Sequence, residues 1–343
     1  KYWYLKNIMF NPLKIFKNTK VGLALGSGGA KGVSHIAVLD YCAKKEIPVS
    51  MIAGSSIGAV VASLYAYGAL PEFTSFLKSV KSNDLFTYFD PVFPKTGLIQ
   101  GRRAMELLAK FIPKSVDIED LKLPIAIVAT DFYSGKPIVF TKGNVLDAIR
   151  ASISIPGIFV PVKYMDTVLI DGGVSNPLPV DVVKRMGAGI TIAVNLHPTI
   201  KIKRAIAPAI ARPHTVSANE NSSNDIIEHV DTEAIDTKTV VTQAKGWLGH
   251  VKKWLGIKIE SDKKTHEDSM PNIFEIVAGT IDIMEYMNTT LTITYNKPDV
   301  LIEPDLVHVG TLDFTKVDFL LNEGYAACLR VEKDIKRKVL RWI

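Results

Sequence analysis

The stretch VSMIAGSSIGAVVASLYAYG, residues 49–68, contains the change of pattern that decides the fold. Its first six residues form a short apolar run that is typical of a buried strand. Residues 56–68 have the composition of a buried helix that ends at a glycine. The turn between them, GSSIG at 54–58, is rich in small residues. The stretch therefore predicts a strand, a tight turn and a helix in direct succession.

The same order of elements occurs just upstream. The run VGLAL at 21–25 ends in glycines, as a buried parallel strand does, and a helical pattern follows at 30–46. Two strand–helix units in succession imply right-handed crossovers between parallel strands. Further strands are predicted within 123–132, 136–141, 167–173, 189–196 and 299–304. We therefore expect an α/β domain of three layers, α/β/α, with a mostly parallel central sheet and a helical or irregular insertion.

Composition and pattern predict four regions along the chain: a basic aromatic N-terminal extension (1–20), a core (21–198), a partly flexible insertion (199–270), and C-terminal helices and a strand that complete the domain (271–343). The first region carries five lysines, five aromatic residues and no acidic residue. That composition suits a membrane interface, and a solvated extension or a packing arm is the alternative. The insertion contains a basic amphipathic segment at 243–259, which either packs on the domain or seeks an interface.

Charge and cysteine content narrow the class of protein. The formal net charge is +6, but no recognised nucleic-acid-binding motif accompanies it, so we expect no nucleic-acid partner. The two cysteines are far apart, which predicts a reducing compartment without disulfides or a zinc site. Residues 47–71 carry no charge, yet prolines, glycines and a turn divide them. They predict a strand and a helix rather than a membrane span.

The turn at 54–58 has the pattern G-x-S-x-G, in which a serine stands at the apex of a strained strand-to-helix turn. Gly54 and Gly58 would relieve crowding on either side, and position selects Ser56 over Ser55 as a nucleophile. The N-terminus of the following helix would favour negative charge there. Because small residues also permit close packing, this pattern alone leaves a purely structural role open.

A second strand-to-helix junction carries GSGGAKG at 26–32, whose glycines free backbone N–H groups to bind a phosphate or an oxyanion. The stretch does not fit the phosphate-binding pattern G-x-x-x-x-G-K-[ST], and it misses the dinucleotide spacing G-x-G-x-x-G by one residue. We predict that the N–H groups of Gly28 and Gly29 bind the oxyanion that forms when a serine attacks an ester.

The stretch LIDGGVSNPLPV at 169–180 places Asp171 at a strand end, ahead of two glycines. Its carboxylate is predicted at the carboxyl edge of the sheet, where Ser56 and the glycine loop are also expected. Partial burial would strengthen this carboxylate as a base. Two alternatives remain: Asp171 caps a turn, or His197 or His308 completes a Ser–Asp–His triad.

Together with AIRASISIPGIFVPV at 148–162, these three motifs resemble the patatin-like phospholipase family of bacterial type. The resemblance covers 21–197 closely and 271–330 more loosely. It implies a dyad, with Ser56 as nucleophile and Asp171 as base, that needs no histidine, metal or organic cofactor. The oxyanion donors that it implies are Gly28, Gly29 and Ala30. The other motif residues that it identifies are Gly26, Lys31, Gly32, Gly54, Gly58, Gly172 and Gly173.

The resemblance also implies a function, a carboxylic ester hydrolase that acts on phospholipid or lysophospholipid through an acyl-enzyme. One departure from the family pattern is Ser27, which stands where the first of three glycines is common. An acyltransferase with the same nucleophile and a non-catalytic membrane-binding module remain open. We expect a cytoplasmic protein that is peripheral on the inner face of the membrane. The oligomeric state is not predicted.

Overall fold

The computed structural model describes residues 19–79, 100–197, 273–311 and 313–340. The predicted N-terminal extension up to residue 18 lies outside the described residues, as does the predicted insertion at 199–270 with its segment 243–259.

Within these described ranges, the central sheet contains eight strands. They are β1 (Val21–Leu25), β2 (Val49–Ser55), β3 (Ile125–Asp131), β4 (Pro137–Phe140), β5 (Val162–Tyr164), β6 (Thr167–Asp171), β7 (Ile190–Val194) and β8 (Val300–Ile302). The pairing order is β5-β6-β3-β2-β1-β7-β8, with β4 also paired to β3. Strands β3, β2, β1, β7 and β8 are parallel to one another, whereas pairs that involve β4, β5 or β6 are antiparallel. The predicted mostly parallel sheet is confirmed.

Two strands meet end to end beside β3. Ser55, the last residue of β2, pairs with Val128, and Asp171, the last residue of β6, pairs with the next residue, Ala129. Strand β4 pairs with residues 127–130, so it occupies the opposite edge of β3. Strands β2 and β6 therefore share one edge of β3 and run toward each other, and their carboxyl ends meet.

Helices connect and cover the strands. They are α1 (Val33–Lys44), α2 (Ile57–Tyr67), α3 (Leu70–Ser79), α4 (Arg102–Leu108), α5 (Val145–Ser152), α6 (Val180–Arg185), α7 (Ile273–Asn296), α8 (Val317–Arg330) and α9 (Glu332–Ile335). Short 3-10 turns occupy Gly29–Gly32, Ile118–Asp120, Gly172–Val174 and Phe314–Lys316, and a π-helical turn occupies Lys336–Leu340.

The two faces of the sheet carry side chains of different size. Leu23 and Leu25 of β1 belong to the larger core cluster, which includes the buried residues of α1, α2 and α8. Ala24 faces the other way, toward α6, with α7 beyond it. It is part of a row of alanines paired across four strands: Ala126, Ala53, Ala24 and Ala193. Helices thus cover both faces, which confirms the three-layer α/β/α fold.

The remaining predicted elements are found with shifted ends. The uncharged stretch 47–71 forms β2, α2 and the start of α3. Within the described ranges, no helix is long and apolar enough to cross a membrane. The predicted terminal helix at 316–338 is interrupted after Arg330, because α9 and the π-helical turn follow as separate segments. Cys42 and Cys328 are buried free thiols.

Candidate active site

The turn after β2 has the strained backbone that its sequence pattern predicts. Ser56 has a φ of 54° and a ψ of −121°, and α2 begins at the next residue. A side chain at Gly54 would collide with the backbone of Gly58, and one at Gly58 would collide with the carbonyl of Leu25. Both glycines are therefore required by close backbone contact, and the strain is concentrated at the serine between them.

The hydroxyl of Ser56 contacts the carboxylate at the end of β6. Its Oγ donates to Oδ2 of Asp171 at 2.6 Å, and the N–H of Gly173 donates to Oδ1 at 2.7 Å. Ser56 is 4% exposed and Asp171 3% exposed. The two residues lie together because β2 and β6 meet end to end beside β3. By contrast, Ser55 Oγ is buried and has no hydrogen-bond partner among the described residues.

Burial changes the proton affinity of Asp171. It raises the pKa of this carboxyl to about 7, although the hydrogen bonds from Ser56 and Gly173 favour the charged form and lower the pKa. A carboxylate with a pKa near 7 is a much stronger base than one at the ordinary value of about 4. The Asp171 carboxylate can therefore accept the proton of the Ser56 hydroxyl when Oγ attacks an electrophile.

A further serine supports the turn, and the sequence analysis did not identify it. The N–H of Ser56 donates to Oγ of Ser152 at 2.9 Å, and this hydroxyl donates to the carbonyl of Val128 at 2.5 Å. Ser152 is completely buried at the end of α5. It lies within the quoted stretch 148–162, so the sequence carried the residue, but nothing in its spacing indicated this contact.

The glycine loop packs directly against the serine turn. A side chain at Gly32 would collide with that of Ile57. Gly28 has a φ of 147° and Gly29 a φ of 57°, a region that favours glycine. Within the described part of the chain, the N–H groups of Gly28 and Gly29 have no hydrogen-bond acceptor. The N–H of Ala30 differs, since it donates to the carbonyl of Thr311 at 2.6 Å.

The structure places a second polar cluster beside the first. Nε2 of His197 lies 3.3 Å from Oγ of Ser27 and 3.2 Å from Oε2 of Glu285, a residue of α7. The other carboxyl oxygen of Glu285 lies so close to Gly173 that a side chain there would collide with it. Glu285 was not identified by the sequence analysis. Lys31 is buried near this carboxyl, and burial lowers its pKa.

Burial shifts the pKa values of the imidazole and the carboxyl in this second cluster in opposite directions. Burial lowers the pKa of His197 to about 3, and the charge of Lys31 lowers it further. Burial raises the pKa of Glu285 well above its ordinary value, and the nearby charges of Asp171 and Asp282 raise it further. Because the imidazole of His197 is neutral near pH 7, its contact with Glu285 is a hydrogen bond rather than an ion pair.

Neither histidine of the alternative Ser–Asp–His triad contacts Ser56. Ser56 Oγ donates to Asp171, whereas His197 contacts Ser27 and Glu285. His308 is exposed, and its carbonyl accepts a hydrogen bond from Nζ of Lys316. In the part of the chain that the structure describes, no group of three or more His, Cys, Asp or Glu side chains is arranged to hold a metal ion.

Comparisons with known proteins show which family the chain resembles. Residues 23–184 match the sequence model of a family described as patatin-like phospholipase. An uncharacterized NTE family protein of Mycobacterium tuberculosis is 38% identical over 178 residues, which are 52% of this chain and 49% of that protein. The lysophospholipase NTE1 of Meyerozyma guilliermondii is 26% identical over 329 residues, which are 93% of this chain and 20% of that protein.

The matches cover only part of the relatives' own length. The chain spans about half the length of the mycobacterial relatives that it matches, at 49%. The crystal structure of VipD from Legionella pneumophila aligns with 94% of this chain and 77% of its own, at 10% identity and a TM-score of 0.30. A TM-score that low supports no inference about the fold.

Proposed function

Because residues 23–184 belong to the patatin-like phospholipase family, we propose that the chain is a serine lipid acyl hydrolase of the phospholipase A or lysophospholipase type. The observation that carries the proposal is the 2.6 Å contact from Ser56 Oγ, on its strained turn, to Asp171 Oδ2. The substrate is a phospholipid or a lysophospholipid presented by a membrane surface. No metal or organic cofactor takes part in the proposed reaction.

The first half-reaction forms an acyl-enzyme. Ser56 Oγ attacks the ester carbonyl while Asp171 accepts the hydroxyl proton. The N–H groups of Gly28 and Gly29 stabilise the negative oxygen of the tetrahedral intermediate. Asp171 then donates the proton to the departing alcohol, so the ester C–O bond breaks and the acyl group stays on Ser56.

The second half-reaction returns the enzyme to its starting state. Asp171 takes a proton from water, and the hydroxide attacks the acyl carbonyl. The same N–H groups stabilise the second tetrahedral intermediate. Collapse of that intermediate releases the fatty acid, and Asp171 returns the proton to Ser56. Two chemical steps through one covalent intermediate predict an initial burst of the first product when the second step is slower.

A hydrolase is favoured over an acyltransferase with the same nucleophile. The acyltransferase fold that resembles this family normally pairs its serine with a histidine. Here His197 is engaged with Ser27 and Glu285, and its pKa is lowered to about 3. Separate His197→Ala and His308→Ala variants distinguish the two functions, because the proposed dyad requires neither imidazole.

The test is a panel of phospholipids, lysophospholipids and neutral esters with product analysis by mass spectrometry. We expect the native protein to release fatty acid and the Ser56→Ala variant to release none above background. Ser27→Ala is the matched control, because this serine is also buried within hydrogen-bond range of a titratable group. Fatty-acid release that persists equally in Ser56→Ala contradicts the proposed nucleophile.

A further inference from the structure

One face of helix α7 packs against the turn Gly172–Val174, which follows the proposed base Asp171. On this inner face the carboxyl of Glu285 packs on Gly173, two residues after the proposed base. Nδ2 of Asn288 donates to the carbonyl of Val174 at 2.8 Å, and Thr289 is completely buried. The helix is therefore held on the short turn Gly172–Val174 that follows Asp171.

The outer face of α7 is exposed and apolar. Twelve large hydrophobic side chains are exposed in the described ranges, and six of them belong to this one helix. These six define the outer face of α7: Ile276, Ile283, Met284, Met287, Leu291 and Tyr295. At about 100° per residue they fall within an arc of roughly 120°, on the side opposite Glu285. Such clustering on a single stripe indicates an interaction surface rather than scattered exposure.

The polarity of this surface fits a lipid bilayer. Among the side chains that the structure describes, the other exposed ones within the arc are Thr280 and Thr294, and neither is charged. The titratable residues Asp282 and Glu285 lie on the inner side. Aliphatic, methionine and tyrosine side chains without charge are suited to the boundary between head groups and acyl chains.

The shape of the surface also favours a bilayer over a second protein. The stripe is one helix wide and about 30 Å long from end to end. A stable protein interface buries about 800 Å² and 20–30 residues on each partner, which is far more than six side chains on one helix supply. Shallow insertion of a single helix face into a bilayer needs no such area.

We propose that the outer face of α7 is the surface by which this domain docks on a lipid bilayer. The inference rests on the proposed function, since a lipid acyl hydrolase must bring its site to a substrate held in a membrane. Docking through α7 does this directly, because the inner face of the same helix contacts the turn that follows the proposed base.

The test compares two double variants of the full chain. Ile283→Asp/Met287→Asp places two charges on the outer face of α7, at positions that are 57% and 42% exposed. The matched control is Phe319→Asp/Leu329→Asp on α8, where the positions are 47% and 49% exposed. Helix α8 packs on the opposite layer of the fold, so its variant adds the same charge away from the proposed surface.

Each variant is assayed on unilamellar phosphatidylcholine vesicles and on a soluble short-chain ester. We expect the α7 variant to lose about tenfold or more in vesicle binding by sedimentation and in hydrolysis of vesicle lipid. Its turnover of the soluble ester should equal that of the native protein. The α8 variant should retain both activities and vesicle binding.

Several results would overturn the docking proposal. Unchanged vesicle binding in the α7 variant contradicts it directly. Conversion of a dimer to a monomer by light scattering, with vesicle binding intact, assigns the face to a second copy. A marked fall in melting temperature shows that another part of the chain covers the face. If the native protein hydrolyses neither ester, the proposed function fails, while the vesicle-binding comparison still decides the docking surface.

Discussion

Two buried serines in this protein each contact a titratable group, and each follows the carboxyl end of a strand. Ser56 follows β2 and contacts Asp171 at the end of β6, at 2.6 Å. Ser27 follows β1 and contacts His197, just after β7, at 3.3 Å. We call the first pair the junction site and the second the rim site. Both are nearly sealed from solvent, yet burial affects their bases in opposite ways.

The difference lies in which protonation state carries the charge. Burial disfavours charged forms, so it raises the pKa of the Asp171 carboxyl to about 7 and lowers the pKa of the His197 imidazole to about 3. Near pH 7 the aspartate is a stronger base than an exposed one, and the histidine is a weaker base. Burial away from solvent therefore makes a carboxylate a better base, and an imidazole a poorer base, for a nucleophilic serine.

Backbone geometry separates the two sites as well. Ser56 is one of four non-glycine residues with a positive φ in the described ranges, and Ser27 is not among them. The N–H of Ser27 donates to the carbonyl of Pro177, which fixes it within the loop. At the rim site, Nε2 of His197 is shared between Ser27 and Glu285, whereas a relay triad needs the two ring nitrogens to have different partners.

The largest difference is expected between alanine substitutions of the two serines. We expect Ser56→Ala to lower kcat/KM for any acyl ester by about four orders of magnitude or more, because it removes the nucleophile. Ser27→Ala should change kcat/KM by less than about tenfold, since it removes hydrogen bonds to His197 and Glu285, which lie beside the site. Steady-state kinetics of both variants measure this, and a loss of similar size in both would remove the distinction between the sites.

The next largest effect is expected when the two buried carboxyls, Asp171 and Glu285, are each replaced by the corresponding amide. Asp171→Asn should lower kcat/KM about a thousandfold or more, since an amide cannot accept the serine proton. Glu285→Gln should stay within about fivefold of the native enzyme, because this carboxyl contacts His197 and Gly173 rather than the hydroxyl of Ser56. Kinetics on one soluble ester tests both variants, and strong loss in Glu285→Gln would show that its charge takes part in the reaction.

A third effect concerns stability. The pKa of Asp171 is about 7 in the folded chain and about 3.8 in the unfolded chain. The folded state therefore holds a proton that the unfolded state releases between these values, and stability falls as pH rises through this window. Asp171→Asn should be more stable than the native protein at pH 8, by about 2–4 kcal/mol, with the difference vanishing toward pH 4.

Chemical denaturation of both proteins across the pH range measures this difference. Circular dichroism at each pH verifies that the variant retains the native fold. An Asp171→Asn protein that is less stable than the native one at pH 8 would show that the ionised carboxylate is favoured in the folded state, which contradicts the raised pKa.

The last expected effect is the pH dependence of the reaction, in which the comparison between native protein and variant should show no shift. Since Asp171 must be ionised to act as base, kcat/KM should rise about tenfold per pH unit below about 7 and level off above it. A titrating histidine would give a similar profile, so the measurement is repeated on His197→Gln. The rising limb should remain at the same pH in this variant. Its loss or displacement would assign the base to the rim site.

Local patterns explain why the sequence predicted as much of the junction site as it did. The glycines around Ser56 and after Asp171 mark turns at strand ends, and such turns depend on neighbouring residues alone. The direction of approach was not predictable. Strand β6 reaches Ser55 from the opposite direction to the parallel strands. This direction could not be predicted because the pairing of β6 with β3 joins residues about forty positions apart in the sequence.

The rim site was less accessible to sequence reasoning. His197 and Glu285 are separated by the whole region 199–270, and no spacing rule links a strand end to a helix so distant in sequence. The neutrality of His197 near pH 7 is a consequence of burial, which requires the packed structure. Ser152 likewise acts through its contact with the Ser56 backbone, and a pattern of residue types cannot indicate such a contact.

The most direct test of the difference between the two serines is covalent labelling with a fluorophosphonate, followed by peptide mass spectrometry. The reagent reports which serine is nucleophilic in the folded protein and does not depend on the choice of lipid. We predict a single adduct on Ser56, lost in Ser56→Ala, strongly reduced in Asp171→Asn and retained in Ser27→Ala. An adduct on Ser27, or labelling of Ser56 that is unaffected by Asp171→Asn, would contradict the assignment of nucleophile and base.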